Sequence, residues 1–297
     1  MMKRNTISAF GLLAAMVLLG ASVASAGYYY ESVTEGRAAG KRKGHHQKIN
    51  GWVEGDHARV EFASGEKKGW FADGNYLVTT DGGENVYLIN PKDETYAPFN
   101  LNEMMASLGQ AMNMMEQMGG MVKIEITDTN SEKLLEEPGG SILGHSTTHY
   151  RYQSGYTMNL KMMGIKQQTK NDTLMDIWST DALEARGFGI WLKPGSQMRT
   201  GNEGLDKMIG EQFEKIQGFP LKMVMETTAT NKKGKEQKST STIEVTVLRE
   251  ESVADDKFAW PDHYTETEVL PDAAQSVEDA MASAKKEKKK EKKKKKD

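Results

Sequence analysis

The chain has 297 residues, 37% of them apolar and 27% charged, with a mean hydropathy of −0.64, the composition of a soluble protein able to bury one sizeable core or two small ones rather than of a polytopic membrane protein. It contains no cysteine, which excludes disulfides, thiolate zinc sites, iron–sulfur ligation, a cysteine nucleophile and an acylated N-terminal cysteine. The net charge of −3 hides a split: the last thirteen residues carry +7 and the first 26 carry +2, which leaves −12 on residues 27–284.

Residues 1–26 read as a cleaved export signal. Lys3 and Arg4 precede an apolar run from Phe10 to Leu19, and Ala24-Ser25-Ala26 supplies the small residues of a cleavage site. The mature chain is therefore expected in the periplasm or outside the cell. From Gly27 to about Asn100 the pattern is one of short strands. Ala58, Val60 and Phe62 alternate with Arg59 and Glu61, and the strand near Tyr76–Thr80 meets Asp81-Gly82-Gly83 before a second strand at Val86–Ile89, which is a hairpin signal. Tyr28, Tyr29 and Tyr30 read as an aromatic edge strand.

The period then changes. Leu101, Met104, Met105, Leu108, Met112, Met115 and Met118 recur at three- and four-residue steps and end at Gly119-Gly120, which predicts an amphipathic helix. Strands resume at Val122–Ile126, Thr147–Gln153, Tyr156–Met163 and Thr173–Ser179, with Pro138-Gly139-Gly140 and Ser154-Gly155 read as breaks. A second apolar stripe, Leu205, Met208, Ile209, Phe213 and Ile216, predicts another helix closed by Gly218. Leu221–Thr230 and Ile243–Arg249 then form a hairpin across a polar loop at residues 231–241. The expectation is an α+β domain over 27–271, an antiparallel sheet with helices on its inner face, preceded by the signal and followed by an Ala/Glu/Lys-rich disordered tail at 272–297.

Several phrases in fixed order, Thr80-Asp81-Gly82-Gly83, Val86-Tyr87-Leu88-Ile89-Asn90-Pro91, His149-Tyr150-Arg151, Asp176-Ile177-Trp178, Gly218-Phe219-Pro220-Leu221-Lys222 and Phe258-Ala259-Trp260-Pro261, resemble a family of secreted bacterial domains of unknown function. That family is similar in architecture to the Lol-type periplasmic lipoprotein carriers, LolA and LolB. The resemblance implies a strongly curved antiparallel half-barrel whose helices close an apolar cavity, which in the Lol carriers takes up acyl chains.

The candidate site follows from methionine chemistry. Seven of the nineteen methionines lie between Met104 and Met121, and flexible, polarizable thioethers suit a surface that repacks around variable apolar ligands. Met104, Met105, Leu108, Met112 and Met115 are the expected lid, with Leu205, Met208 and Ile209 as a second wall. The same stripe also fits plain core, or a soft Cu(I) site. His145 and His149 stand four apart on a strand, about 13 Å along the backbone, too far to share a metal. No Gly-x-Ser-x-Gly, phosphate-binding glycine loop or His-Glu-x-x-His occurs, so neither a catalytic residue, a metal nor a cofactor is expected.

The expected partner is a lipid or other hydrophobic small molecule, and the expected role is non-enzymatic binding. A rival reading is an envelope interaction protein with a self-filled core that works through its polybasic tail. There Lys285, Lys286, Lys288, Lys289, Lys290, Lys292, Lys293, Lys294, Lys295 and Lys296 would meet an anionic membrane surface by charge, without specific nucleic-acid readout. Sequence leaves the oligomeric state open.

Overall fold

A computed structural model describes residues 27–38, 44–65, 69–100, 122–162, 165–183, 206–207, 210 and 218–268. Twelve strands account for most of them: β1 (Tyr28–Ala38), β2 (His45–Glu54), β3 (His57–Ser64), β4 (Tyr76–Thr79), β5 (Tyr87–Asn90), β6 (Thr95–Pro98), β7 (Val122–Ile142), β8 (His145–Met162), β9 (Ile165–Thr180), β10 (Phe219–Asn231), β11 (Glu236–Glu250) and β12 (Thr265–Glu266). They form one open sheet in the order β12-β6-β5-β4-β3-β2-β1-β11-β10-β9-β8-β7. Two sequential meanders, β1 to β6 and β7 to β11, thus lie side by side, fused by the antiparallel β1–β11 ladder from Tyr28↔Glu250 to Ala38↔Ser239.

This corrects the expected architecture. Helical backbone among the described residues is confined to residues 206, 207 and 210 and a 3₁₀ turn at Asp255–Phe258, so no amphipathic helix covers the sheet there. The sheet is mixed rather than purely antiparallel, because β12 pairs parallel with β6, and its end strands β12 and β7 do not meet to close it. Both segments that carry the helical periodicity, 101–121 and most of 184–217, lie outside the described residues, as do the signal and the tail.

Strand lengths differ from the sequence reading for a physical reason. Pro138-Gly139-Gly140 does not end a strand: it is accommodated inside β7 as one of three register shifts, at Thr127/Asn130, Lys133/Leu135 and Pro138/Gly140. β7 is an edge strand, where a proline costs no ladder bond and bulges with charged side chains deter pairing with another chain. Ser154-Gly155 lies within β8, paired to Thr173 and Asp172 of β9. The polar stretch from Glu236 to Ser241 is strand rather than loop, and the β10–β11 connection is a short turn in which Asn231 Oδ1 accepts hydrogen bonds from the backbone N–H groups of Lys233 and Lys235, at 2.9 and 3.0 Å. The β4–β5 hairpin follows its sequence signal.

Alternation divides the side chains between two faces. One face collects Tyr28, Tyr30, Val53, Val60, Leu77, Leu88, Leu221 and Val245 into the main core. On the other, Tyr76, Val78 and Ile89 pack with Val253 and Phe258, with Trp52, Tyr87, Trp260 and Tyr264 around them, so the chain after β11 folds back over this half of the sheet. Glu54 Oε2 accepts the Val253 N–H at 2.7 Å, Arg59 donates to the Lys257 carbonyl at 3.3 Å while lying 3.5 Å from the Tyr76 ring centroid, and Lys257 sits 3.6 Å over Trp52. Burial, followed by the nearby Arg59 charge, lowers the Lys257 pKa.

The tyrosine strand β1 is interior, not an edge, flanked by β2 and β11. Tyr30 is paired with Gly51 of β2, and its ring occupies the space that a side chain at 51 would need: a Cβ there would lie 2.1 Å from the Tyr30 ring. The glycine therefore lets the aromatic lie flat across the neighbouring strand. Gly51→Val should displace Tyr30 and destabilise the fold by about 3 kcal/mol, read as a lowered urea midpoint with an unchanged slope.

Candidate functional site

The main core does not end at the seam between the meanders. On β10, Leu221, Met223 and Met225 alternate on one side. Leu221 belongs to the main core, while Met223 and Met225 pack against Tyr150, Tyr152, Met175 and Ile177. Register explains the grouping: Met223 faces Ile177, which faces Tyr150, and Met225 faces Met175, which faces Tyr152. Two parallel cross-strand rows of apolar side chains thus extend the core over β8, β9 and β10. Tyr152 is 1% exposed and Ile177 is 0% exposed. Where the main core meets solvent, Phe71, 39% exposed, stands edge-on to Phe62 and Phe99.

Three described residues stand next to the segments that lie outside the described residues. Phe99, immediately before segment 101–121, packs against the main core, and so do Leu183 and Phe219, on either side of segment 184–217. Phe219 lies edge-on to Tyr30, with ring centroids 5.5 Å apart, and pairs with Thr180, so the second segment departs and returns at one place. Met104, Met105, Leu108, Met112, Met115, Leu205, Met208 and Ile209 all lie outside the described residues. The structure instead brings together Tyr150, Tyr152, Met175, Ile177, Met223 and Met225, which the sequence reading did not single out. Tyr150 and Tyr152 alternate with the polar His149, Arg151 and Gln153, whereas Val224 between Met223 and Met225 and Leu174 beside Met175 blur the same signal on β10 and β9.

The opposite face of the same strands carries a hydrogen-bonded polar group beside Trp178. His149 Nε2 lies 2.6 Å from Asp176 Oδ1, and Arg151 Nε donates to the same oxygen at 2.7 Å. The His149 ring stacks on Trp178 with centroids 4.3 Å apart and planes 1° from parallel. Its Nδ1 is 3.6 Å from Glu137 Oε1. Both imidazole nitrogens are thus turned toward carboxylates, which leaves neither to deprotonate a hydroxyl nucleophile, and the arrangement braces β7, β8 and β9 against one another. The Asp176 hydrogen bond, then its charge, raises the Arg151 pKa above its ordinary value. Among the described residues no group of three or more His, Asp or Glu side chains could hold a metal ion.

No protein-family model and no curated protein matches the sequence. Among solved structures, the chain aligns with a crystal structure described as a "putative outer membrane lipoprotein-sorting protein domain" from Vibrio parahaemolyticus, at 8% identity and a TM-score of 0.28 over 78% of this chain and 89% of that one. It also aligns with a DUF1329 family protein from Desulfovibrio piger, at 11% identity and a TM-score of 0.24 over 80% and 91%. A lipovitellin structure reported for its lipid–protein interactions aligns at 8% identity and a TM-score of 0.24, over 80% of this chain and 28% of that one.

Burial on the apolar face raises the Tyr152 pKa to about 12, followed by the effects of Tyr150 and Glu136. A phenol with a folded-state pKa above its unfolded value near 10 adds stability that is fully present below pH 10 and is lost as pH rises through about 12. Tyr152→Phe should therefore flatten the fall in urea midpoint between about pH 10 and about pH 12 relative to the parent.

Proposed function

We propose that this is an exported, non-enzymatic protein that binds and carries an elongated hydrophobic ligand, a lipid or acyl chain, against the apolar face of its sheet. The observation that carries the reading is the continuity of that face. The main core runs into the Tyr150, Tyr152, Met175, Ile177, Met223 and Met225 rows, and Phe99, Leu183 and Phe219, which flank the two apolar-striped segments, pack on the same side. Met104, Met105, Leu108, Met112 and Met115, with Leu205, Met208 and Ile209, then complete the lining around the ligand.

Burial drives the binding. At about 0.8 kcal/mol per methylene removed from water, ten methylenes supply on the order of 8 kcal/mol before ordering costs, so no charged anchor is needed for useful affinity. Tyrosine and methionine suit this use because they give large contact area while tolerating different chain shapes. An export signal places such a carrier in the periplasm or outside the cell.

The low exposure of Tyr152 and Ile177 favours a second reading, in which the face is filled by the protein's own side chains and the Lys285–Lys296 tail does the work at an anionic envelope surface. One experiment separates the two. A fluorescent acyl probe titrated into the mature protein should bind, and Met225→Asp and Met112→Asp should each weaken it at least tenfold with far-ultraviolet circular dichroism unchanged, while replacing the tail lysines with glutamine leaves probe affinity as it was. Failure of the parent to bind the probe, together with loss of surface association in the tail variant, would establish the second reading instead.

A further inference from the structure

At the end of the sheet where the β8–β9 and β10–β11 hairpins turn, register sets lysines side by side. Lys161 of β8 is the direct cross-strand partner of both Lys123 of β7 and Lys166 of β9. The next row on that face is Glu125, Asn159 and Gln168, in which Gln168 Nε2 donates to Asn159 Oδ1 at 3.0 Å. The β10–β11 turn is tied to this corner by the Lys232 N–H, which donates to the Gln168 carbonyl at 3.1 Å. Together Glu125, Asn159, Lys161, Lys166, Gln168 and Lys232 line an open cleft of about 440 Å³.

The arrangement costs stability as it stands. Like charges directly opposite on neighbouring strands repel, and among the described residues Lys161, Lys166 and Lys232 have no ion-pair partner. Elsewhere on the same sheet Lys48 is matched with Glu31 at 2.6 Å and Lys170 with Asp172 at 3.0 Å. One carboxylate, Glu125, lines the cleft against three ammonium groups. Against residues 27–284 as a whole, which carry −12, the corner is an electropositive spot on an acidic body.

We propose that this lysine corner is a docking site for the phosphates of an anionic phospholipid bilayer. Its position fits a surface rather than a free anion. All three side chains are exposed beside the turns that join β8 to β9 and β10 to β11. Exposed lysines grouped at one edge of a sheet can meet the plane of headgroup phosphates together. The acidic remainder of the body is repelled by the same surface, so the protein would meet the bilayer corner first. The site is distinct in sequence from the polybasic tail and does not depend on a ligand at the apolar face.

The test is vesicle co-sedimentation of the full mature chain with the ten tail lysines replaced by glutamine, so that the tail cannot answer for the corner. This protein should bind vesicles of equal parts phosphatidylglycerol and phosphatidylcholine, should not bind pure phosphatidylcholine, and should release as salt is raised. Adding Lys161→Gln, Lys166→Gln and Lys232→Gln should lower the partition coefficient roughly a hundredfold, about fivefold per lysine, and should raise rather than lower the urea midpoint by relieving repulsion. Equal binding by the corner variant, or no binding by the tail-neutral parent, would overturn the proposal. Saturation of the corner by inorganic phosphate without any vesicle binding would likewise overturn it, by assigning the site to a free anion.

Discussion

A single ladder, β1 against β11, makes one sheet out of two meanders. Every other pairing except β12–β6 joins strands consecutive in the chain, so each half could form from local hairpins, and only the Tyr28–Ala38 strand commits the first half to the second. Its sequence suits that position. Tyr28 and Tyr30 enter the main core, Tyr29 turns to the other face against Trp52 at 5.3 Å with Arg249 4.1 Å above it, and both edges are occupied by ladders. Burial, then the Glu31 hydrogen bond, pushes the Tyr29 pKa up to about 12. The strand is satisfied on all four sides, as a seam must be. The return of the C-terminal segment through Phe258, Trp260 and β12 adds a second tie between the chain's end and its first meander.

The seam also sets the allocation of faces. Because the alternation of β1 carries through β11 into β10, the core of the first meander and the Tyr/Met rows of the second fall on one side, and the His149–Asp176–Arg151 group and the lysine corner fall on the other. Consecutive strands β6 and β7 stand at opposite ends of the strand order, ten spacings of about 4.8 Å apart along a flat sheet. The chain between Pro98 and Val122, where the methionines concentrate, has to join those ends.

Local features of this fold are legible in the sequence where a turn has a chemical signature. Asp81-Gly82-Gly83 marks the β4–β5 hairpin, and Gly218-Pro220 marks the entry to β10. The reading fails where a nominal breaker is absorbed, as at Pro138 on an unpaired edge and Ser154-Gly155 within β8, because only the neighbouring strands determine whether a bulge can be tolerated. It also fails on topology: nothing local in Tyr28–Ala38 announces a partner more than two hundred residues away, so β1 reads as an edge. The predicted α-helical layer has no counterpart among the described residues, where long strands dominate. As for the site, the sequence reading favoured methionines at helical spacing and passed over Tyr150, Tyr152, Met175, Ile177, Met223 and Met225, whose significance appears only when register stacks them in rows.

The most direct measurement is native mass spectrometry of the mature protein, purified gently from its exported fraction, before and after solvent extraction of lipids. A carrier should show a discrete added mass of lipid size that extraction removes and that added acyl chains restore. A bare polypeptide mass in both samples, with no uptake of added chains, would contradict the account and leave the apolar face as plain core.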